Sequence, residues 1–468
     1  MTSKRVSRRN ALKSLGATAA LPVLANCGDD QGTGGAPGTG GGGGGGGGYV
    51  PEDGITRVVV LMMENRSYDH YFGARSLVEG LPSDGLTAEM ANLDGTGTSH
   101  PVYRESTFCV ADPPHGWDSS HRQFNAGLND GFLTEYEADA GAGIDPHVMG
   151  YFQREDLPVS YALADSYTSC DRWFCSVMGP TWPNRFYFHA GQSDGMKTND
   201  SPQEKMTTIY DRMTEKGLTW GYFYTDLPFL LLLGGSPVTP AVPSFFDAAA
   251  SGTLPHLTVI DPGFALNDDH PPHHPQLGQQ FIASVYQALA TSPQWKNVLF
   301  VVTYDEHGGF FDHVVPPTVE DDRAAEGFDQ LGFRVPTMII GPYVKSGHVS
   351  STQYDHTSIL KHIETMFGLE PLTKRDATAN DLSDAIDTDR LAALDYAEPI
   401  TLPTLDIDPE MIDPACKTEL RKAKCDIEVH ADDGKIDKLY DLRPKRYETA
   451  RFIAEYLERH GVARIKRG

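Results

Sequence analysis

The chain has 468 residues, with 64 acidic side chains against 39 Lys and Arg, for a formal net charge of −25. That balance excludes a nucleic-acid binder, which needs basic patches to meet phosphates. The length suits one large α/β domain with additions, or two domains, and no internal apolar run is long enough to span a bilayer.

Residues 1–28 read as an export signal. Ser7-Arg8-Arg9-Asn10-Ala11-Leu12-Lys13 resembles the twin-arginine signal, and the apolar stretch Ala17 to Ala25 follows it. Leu24-Ala25-Asn26-Cys27 is similar to a lipoprotein cleavage box with Cys27 as the lipidated residue. The expected location is therefore the periplasm, the exterior, or a lipid anchor at the cell envelope. Residues 29–50, with unbroken glycine from Gly40 to Gly48, form a flexible tether. A globular domain is expected over 51–396 and a short extension over 397–468. Six cysteines are too few for a disulfide scaffold, but Cys170/Cys175 and Cys416/Cys425 are spaced for local bridges in an oxidising compartment.

Val58 to Met63 is wholly apolar, which predicts a strand buried on both faces of a helix-covered parallel sheet. It stops at Glu64-Asn65-Arg66, where the strand emerges. In open α/β sheets that carboxyl edge is where ligands bind, and Glu64 with Asn65 offers two hard oxygen ligands to a metal ion. Ser67 to Ser76 continues into helix or loop. Pro113-Pro114-His115 fixes a non-helical loop around an imidazole. Val159 to Tyr167 reads as helix.

In Gly179-Pro180-Thr181-Trp182-Pro183-Asn184-Arg185, Thr181 is placed as the N-cap of a helix running to His189. A hydroxyl there faces free backbone N–H groups that attract phosphate. A neighbouring metal makes it an alkoxide nucleophile, and Asn184 and Arg185 come within reach of phosphoryl oxygens.

Leu218 to Tyr224 and His256 to Ile260 read as strands. Pro228 to Leu233 reads as core, with an exposed apolar lip as the alternative. Asn267 to Pro275, NDDHPPHHP, packs acid and imidazole between prolines and suits proton transfer or metal binding. Leu277 to Ala290 has helical periodicity.

Asn297 to Tyr304 repeats the device of the first strand and ends in Asp305-Glu306-His307. Adjacent acids repel unless a cation or Arg lies between them, so the two strand ends imply one acidic crevice. Arg334 to Gly341 gives a further strand. Asp355-His356 opens the helix Ser358 to Phe367, as a cap or as site residues. Pro399 to Pro414 wraps the surface, and a basic amphipathic helix from Tyr440 is expected to dock on the domain, with a membrane surface as the alternative.

The motifs ENRSYDHYFG, GPTWPNR, NDDHPPHHP, TYDEHGGFFDHV and RVPTMIIGPYVKSG with YDHTSILKHIE occur in order from Ile55 to Leu369. Together they resemble the bacterial phosphoesterase family of non-specific phospholipases C and related acid phosphatases, in the alkaline-phosphatase-like superfamily. The resemblance implies an α/β fold with a mostly parallel sheet between helices. It implies one divalent metal ion on Glu64, Asn65, Asp305 and Glu306, the nucleophile at Thr181, and phosphate-contacting or leaving-group-protonating imidazoles at His115 and His270. His307, Asp355 and His356 join Asn184 and Arg185 as expected substrate contacts.

Oxygen-rich ligation suits Ca, Mg, Mn or Fe better than Zn. The chain lacks the long C-terminal repeats of the large haemolytic phospholipases. The expected substrate is a phospholipid head-group diester, met at a membrane surface, or a small phosphomonoester. Trp117 and Trp182 are either choline-facing rings or core. The rival outside enzymes is a tethered binding protein on an inert esterase scaffold.

Overall fold

The structure, a computed structural model, describes residues 53–200, 202–226, 228–233, 241–264, 266–408 and 442–467. The export signal, the lipidation box, the glycine tether and the Cys416/Cys425 pair lie outside the described residues. The central sheet has seven strands: β1 (Arg57–Met63), β2 (Thr168–Cys170), β3 (Trp220–Tyr224), β4 (Leu257–Asp261), β5 (Val298–Tyr304), β6 (Thr337–Ile340) and β7 (His348–Ser350). Their order is β7-β2-β6-β5-β1-β4-β3. All pairings are parallel except those of β6, which runs against both β5 and β2.

β1 and β5 are the long members and lie side by side at the middle. Every residue from Val58 to Met63 and from Val298 to Tyr304 is buried. Continuous Val, Leu, Met and Phe fit a strand covered on both faces, because no face is left for polar alternation.

Helices α1 (Tyr68–Phe72), α2 (Trp117–Phe124), α3 (Pro158–Ser166), α4 (Thr181–Ala190), α5 (Val242–Ser251), α6 (Pro275–Ala290), α7 (Thr357–Phe367) and α8 (Leu442–Arg459) flank the sheet. The architecture is thus α/β with a mostly parallel sheet, as expected. None of the described helices is long and apolar enough to cross a membrane.

α8 packs on α6, and Phe246 of α5 meets Phe452 and Tyr456 of α8 at centroid separations of 5.3 and 4.6 Å. After α8, β9 (Ala463–Ile465) pairs in parallel with β8 (Leu405–Ile407).

Two expectations are corrected, and one of two alternatives is met by the core. Cys170 and Cys175 are buried free thiols rather than a bridge, while Cys109 is the described cysteine in a disulfide. Phe229, Leu230 and Leu233 are buried in the main core, so the run from Pro228 is not an exposed lip. Helix α4 begins at Thr181 itself with Pro180 as its N-cap, so Thr181 is the first helical residue and not the cap.

Candidate active site

The parallel register between β1 and β5 sets Met63 opposite Tyr304. The next residues of the two strands therefore meet. Asp305 N donates to Met63 O at 3.1 Å, and Asn65 N donates to Asp305 Oδ1, also at 3.1 Å. Glu64, Asn65, Asp305 and Glu306, from segments 240 residues apart, are all buried in one place.

The backbone is bent to achieve this. Asn65 sits in the left-handed region at φ 56°, and the turn after Glu306 passes through Gly308 at φ 66°. A Cβ on Gly308 would lie 2.2 Å from the carbonyl oxygen of Asn65, so only glycine lets the two strand ends approach this closely.

Arg185 binds the acids together. Its Nε donates to Asp305 Oδ2 at 3.0 Å, its Nη2 lies 3.1 Å from Glu64 Oε1, and its Nη1 lies 3.4 Å from Asp261 Oδ1. Nη2 also donates to the Met62 carbonyl at 3.2 Å. Arg185 is one turn after Thr181 on α4, and residues at this spacing share a helix face. Thr181 therefore shares a helix face with Arg185, at the helix end where the dipole is positive. Thr181 is itself buried and makes no hydrogen bond to Glu64, Asn65, Asp305 or Glu306.

The loop imidazoles complete the crevice. His115 donates from Nδ1 to the Pro113 carbonyl at 2.7 Å, which leaves Nε2 as an acceptor. That Nε2 takes a hydrogen bond from Asn65 Nδ2 at 3.3 Å and lies 3.5 Å from Glu306 Oε1. The rings of His115 and His270 are 5.9 Å apart, edge to face. Asp112, His115 and His270 bring one ligand atom each within 4.8 Å of one another.

The NDDH segment is pinned at several points. Asp268 O accepts from Glu64 N at 2.8 Å, and Asp268 Oδ1 accepts from His273 Nδ1 at 2.6 Å. Asp269, left-handed at φ 75°, is held by Tyr304 Oη at 2.6 Å and Arg66 Nε at 2.7 Å.

Burial and mutual repulsion dominate the electrostatics. Burial pushes the Asp305 carboxyl up to about 7; Arg185 opposes this and Glu306 adds to it. Burial, then Asp305, raises Glu64 well above the carboxylate range. Burial also lowers His270, and lowers His307 further. Crowded carboxyls of this kind fit a divalent cation.

Two details support the same fit. Asn65 Oδ1 is buried without a hydrogen-bond partner. The acceptor Nε2 of His115 faces a Glu306 oxygen, an arrangement that favours a proton or cation between them. Glu64, Asn65, Asp305 and Glu306 are candidate oxygen donors, and among the described residues Asp112, His115 and His270 form a further group that could hold an ion.

Other expected substrate contacts prove to be supports. Asn184 accepts from Val177 N and donates to the Val177, Gly179 and Pro180 carbonyls, so it shapes the turn before α4. Arg185 is held by carboxylates. His307 donates to Gln123 Oε1 at 2.8 Å. His356, lowered to about 4 by burial and so neutral, donates to the Asp305 carbonyl at 2.7 Å. Asp355, which precedes the N-cap His356, accepts from Thr357 N at 2.6 Å and from Arg375 Nη1 at 3.0 Å, so it braces the start of α7.

Trp182 is core, and Trp117 carries Lys197 Nζ 4.4 Å from its ring centroid, so neither ring stands open for choline. Asp112, Asp261, Asp268 and His273 were not singled out individually from the sequence. For His273 and Asp268 the signal was the NDDHPPHHP run, and for Asp261 its place at the end of the strand from His256; Asp112 precedes a proline after unremarkable residues.

Comparison with known proteins identifies the family. Residues 55–370 match the model of the Phosphoesterase family. Non-specific phospholipase C1 of Arabidopsis thaliana is 35% identical over 377 residues, 69% of this chain and 69% of its own. Phospholipase C B of Mycobacterium tuberculosis (strain ATCC 25618 / H37Rv) is 31% identical over 401 residues, 70% of this chain and 77% of its own. Among solved structures, a protein in the alkaline phosphatase superfamily from Vibrio parahaemolyticus aligns with 10% identity and a TM-score of 0.36 over 72% of each chain. With its family match spanning the domain that holds the crevice, the chain belongs to the Phosphoesterase family.

Proposed function

We propose that the chain is a metal-dependent phospholipase C that hydrolyses phospholipid head-group diesters through a phosphothreonine at Thr181. The observation that carries this reading is the β1–β5 register. It brings Glu64 and Asn65 against Asp305 and Glu306, while Arg185 ties to the same acids the helix that begins at Thr181. The relatives named as phospholipases C support the diester as substrate.

A divalent ion on Glu64, Asn65, Asp305 and Glu306 would supply charge neutralisation and ease loss of the hydroxyl proton. Thr181 Oγ attacks phosphorus in line. The bond from phosphorus to the glycerol oxygen breaks, and diacylglycerol departs. Water then cleaves the phosphothreonine and frees the phosphorylated head group. His115 and His270 contact the phosphoryl oxygens, and the positive end of the α4 dipole favours the same charge. A glycerol alkoxide is a poor leaving group, so an imidazole must hand it a proton.

The test is hydrolysis of phosphatidylcholine vesicles, nitrophenyl phosphorylcholine and nitrophenyl phosphate by the full chain, with and without Thr181→Ala. Both diesters should be cleaved, cleavage should stop on chelation, and Thr181→Ala should lower it by about a thousandfold or more. Cleavage of the monoester alone would instead make the protein an acid phosphatase. No cleavage of any substrate with metal added would make it a binding protein.

A further inference from the structure

We propose that His273, oriented by Asp268, is the imidazole that passes the proton to the departing glycerol oxygen and takes one from the water of the second step. This rests on the phosphothreonine reading above. Three histidines occupy HPPHHP, and the structure separates their duties. His274 is the N-cap of α6, its ring accepting from Gln276 N at 3.2 Å. His270 has its Nδ1 on the Pro271 carbonyl at 2.5 Å and lies edge to face with His115. His273 alone of the three has its Nδ1 on a carboxylate, Asp268 Oδ1, at 2.6 Å.

Both members of that pair are buried, His273 at 2% and Asp268 at 0% exposure, so the ion pair would act in low dielectric. An imidazole that becomes charged during turnover in such a place needs a fixed countercharge. The carboxylate also sets the tautomer, with the proton on Nδ1 and the lone pair on Nε2. The pair is bound to the crevice by backbone: Asp268 O accepts from Glu64 N at 2.8 Å, and Asp268 Oδ1 accepts from His270 N at 3.0 Å. The rings of His273 and His270 are 6.2 Å apart, so His273 neighbours His270 as His270 neighbours His115.

The protons balance. Thr181 Oγ enters as the alkoxide and bonds to phosphorus. The bond from phosphorus to the glycerol oxygen breaks, and its electron pair takes the Nε2 proton of imidazolium His273. Neutral His273 then removes a proton from water, the hydroxide bonds to phosphorus, and Thr181 Oγ leaves as the alkoxide. Asp268 is a positioning residue.

The leaving group provides the test, because nitrophenolate departs without protonation. In the full chain with metal, His273→Ala should lower turnover of phosphatidylcholine vesicles by about a hundredfold or more. With nitrophenyl phosphorylcholine it should instead release a burst of one nitrophenolate per chain, followed by slow turnover, with phosphothreonine detectable by mass. Asp268→Asn, which keeps the side-chain size, should show the same split between substrates to a smaller degree. Loss of the burst in step with lipid turnover in both variants, or unchanged lipid turnover in either, would overturn the proposal. Persistence of the burst when Thr181→Ala is added would overturn the phosphothreonine reading itself, and not the role of His273 alone.

Discussion

Arg185 shows how much depends on one side chain. Its guanidinium faces Glu64, Asp261 and Asp305 at once, and it is only 1% exposed. Removing one partner from a buried ionic cluster leaves uncompensated charge, at about 3–5 kcal/mol. Arg185→Met should therefore lose about that much stability to denaturant in the presence of a chelator. Added divalent cation should restore part of the loss, because it supplies the positive charge that the side chain no longer does. Equal denaturation midpoints for variant and parent under chelation would show that Arg185 does not hold the cluster.

The same residue marks what the sequence could tell. Residue type and the strand-end setting made Glu64, Asn65, Asp305 and Glu306 legible as one crevice. The partners of Arg185 lie 76 to 123 residues away, beyond any local pattern, so it read as a substrate contact. Asn184 and Asp355 misled for a related reason, since nothing in the sequence shows that a polar side chain is already engaged, by backbone for Asn184 and by Thr357 and Arg375 for Asp355.

At the scale of elements, the crevice exists because two strands end together and their turns interlock. Gly308 is the tightest point of that interlock, with the Asn65 carbonyl oxygen 2.2 Å from where a Cβ would stand. Both sides of the clash are backbone, so neither swings away. Gly308→Ala should cost at least about 1–3 kcal/mol for the left-handed φ alone. It should also lower diester hydrolysis about a hundredfold by displacing Asn65 and Glu306 from register, with circular dichroism retaining the α/β signal. Activity near that of the parent would mean the close approach is not needed.

Elements were legible where they are long. β1 and β5 announce themselves by unbroken apolar runs, and α6 by its periodicity. The three-residue strands β2 and β7 were missed, because Thr168-Ser169-Cys170 and His348-Val349-Ser350 are too short to show a period and gain their pairing from sheet neighbours.

At the scale of the whole molecule, a second charged cluster ties distant segments of the domain together away from the crevice. Arg334 donates to Asp69 Oδ1 at 3.0 Å across 265 residues and to Asp312 Oδ1 at 2.9 Å. His313 bridges Asp69 Oδ2 at 2.7 Å and Asp84 Oδ1 at 3.1 Å, and Arg172 also pairs with Asp84. Burial opposes charge on His313, but Asp69 and Asp84 outweigh both burial and the nearby Arg334 and raise it to about 9. The hydrogen bond from His313 leads the causes that lower Asp84 to about 2.

The signs of the two linkages are opposite. A raised histidine contributes stability that is fully present below its unfolded value of about 6.5 and is lost as pH rises through 9. A lowered aspartate contributes stability present above its unfolded value and lost as pH falls through 2. With the side chain of His313 at 18% exposure, the raised value corresponds to at most about 3 kcal/mol. His313→Gln should therefore be less stable than the parent near pH 6, by about 2–3 kcal/mol, with the gap closing between pH 6.5 and 9. Urea denaturation across that range measures the gap directly. The chain's large negative charge changes the stability of both proteins with pH, but it cancels in their difference. A constant gap from pH 6 to 9 would show that the cluster does not depend on the imidazolium.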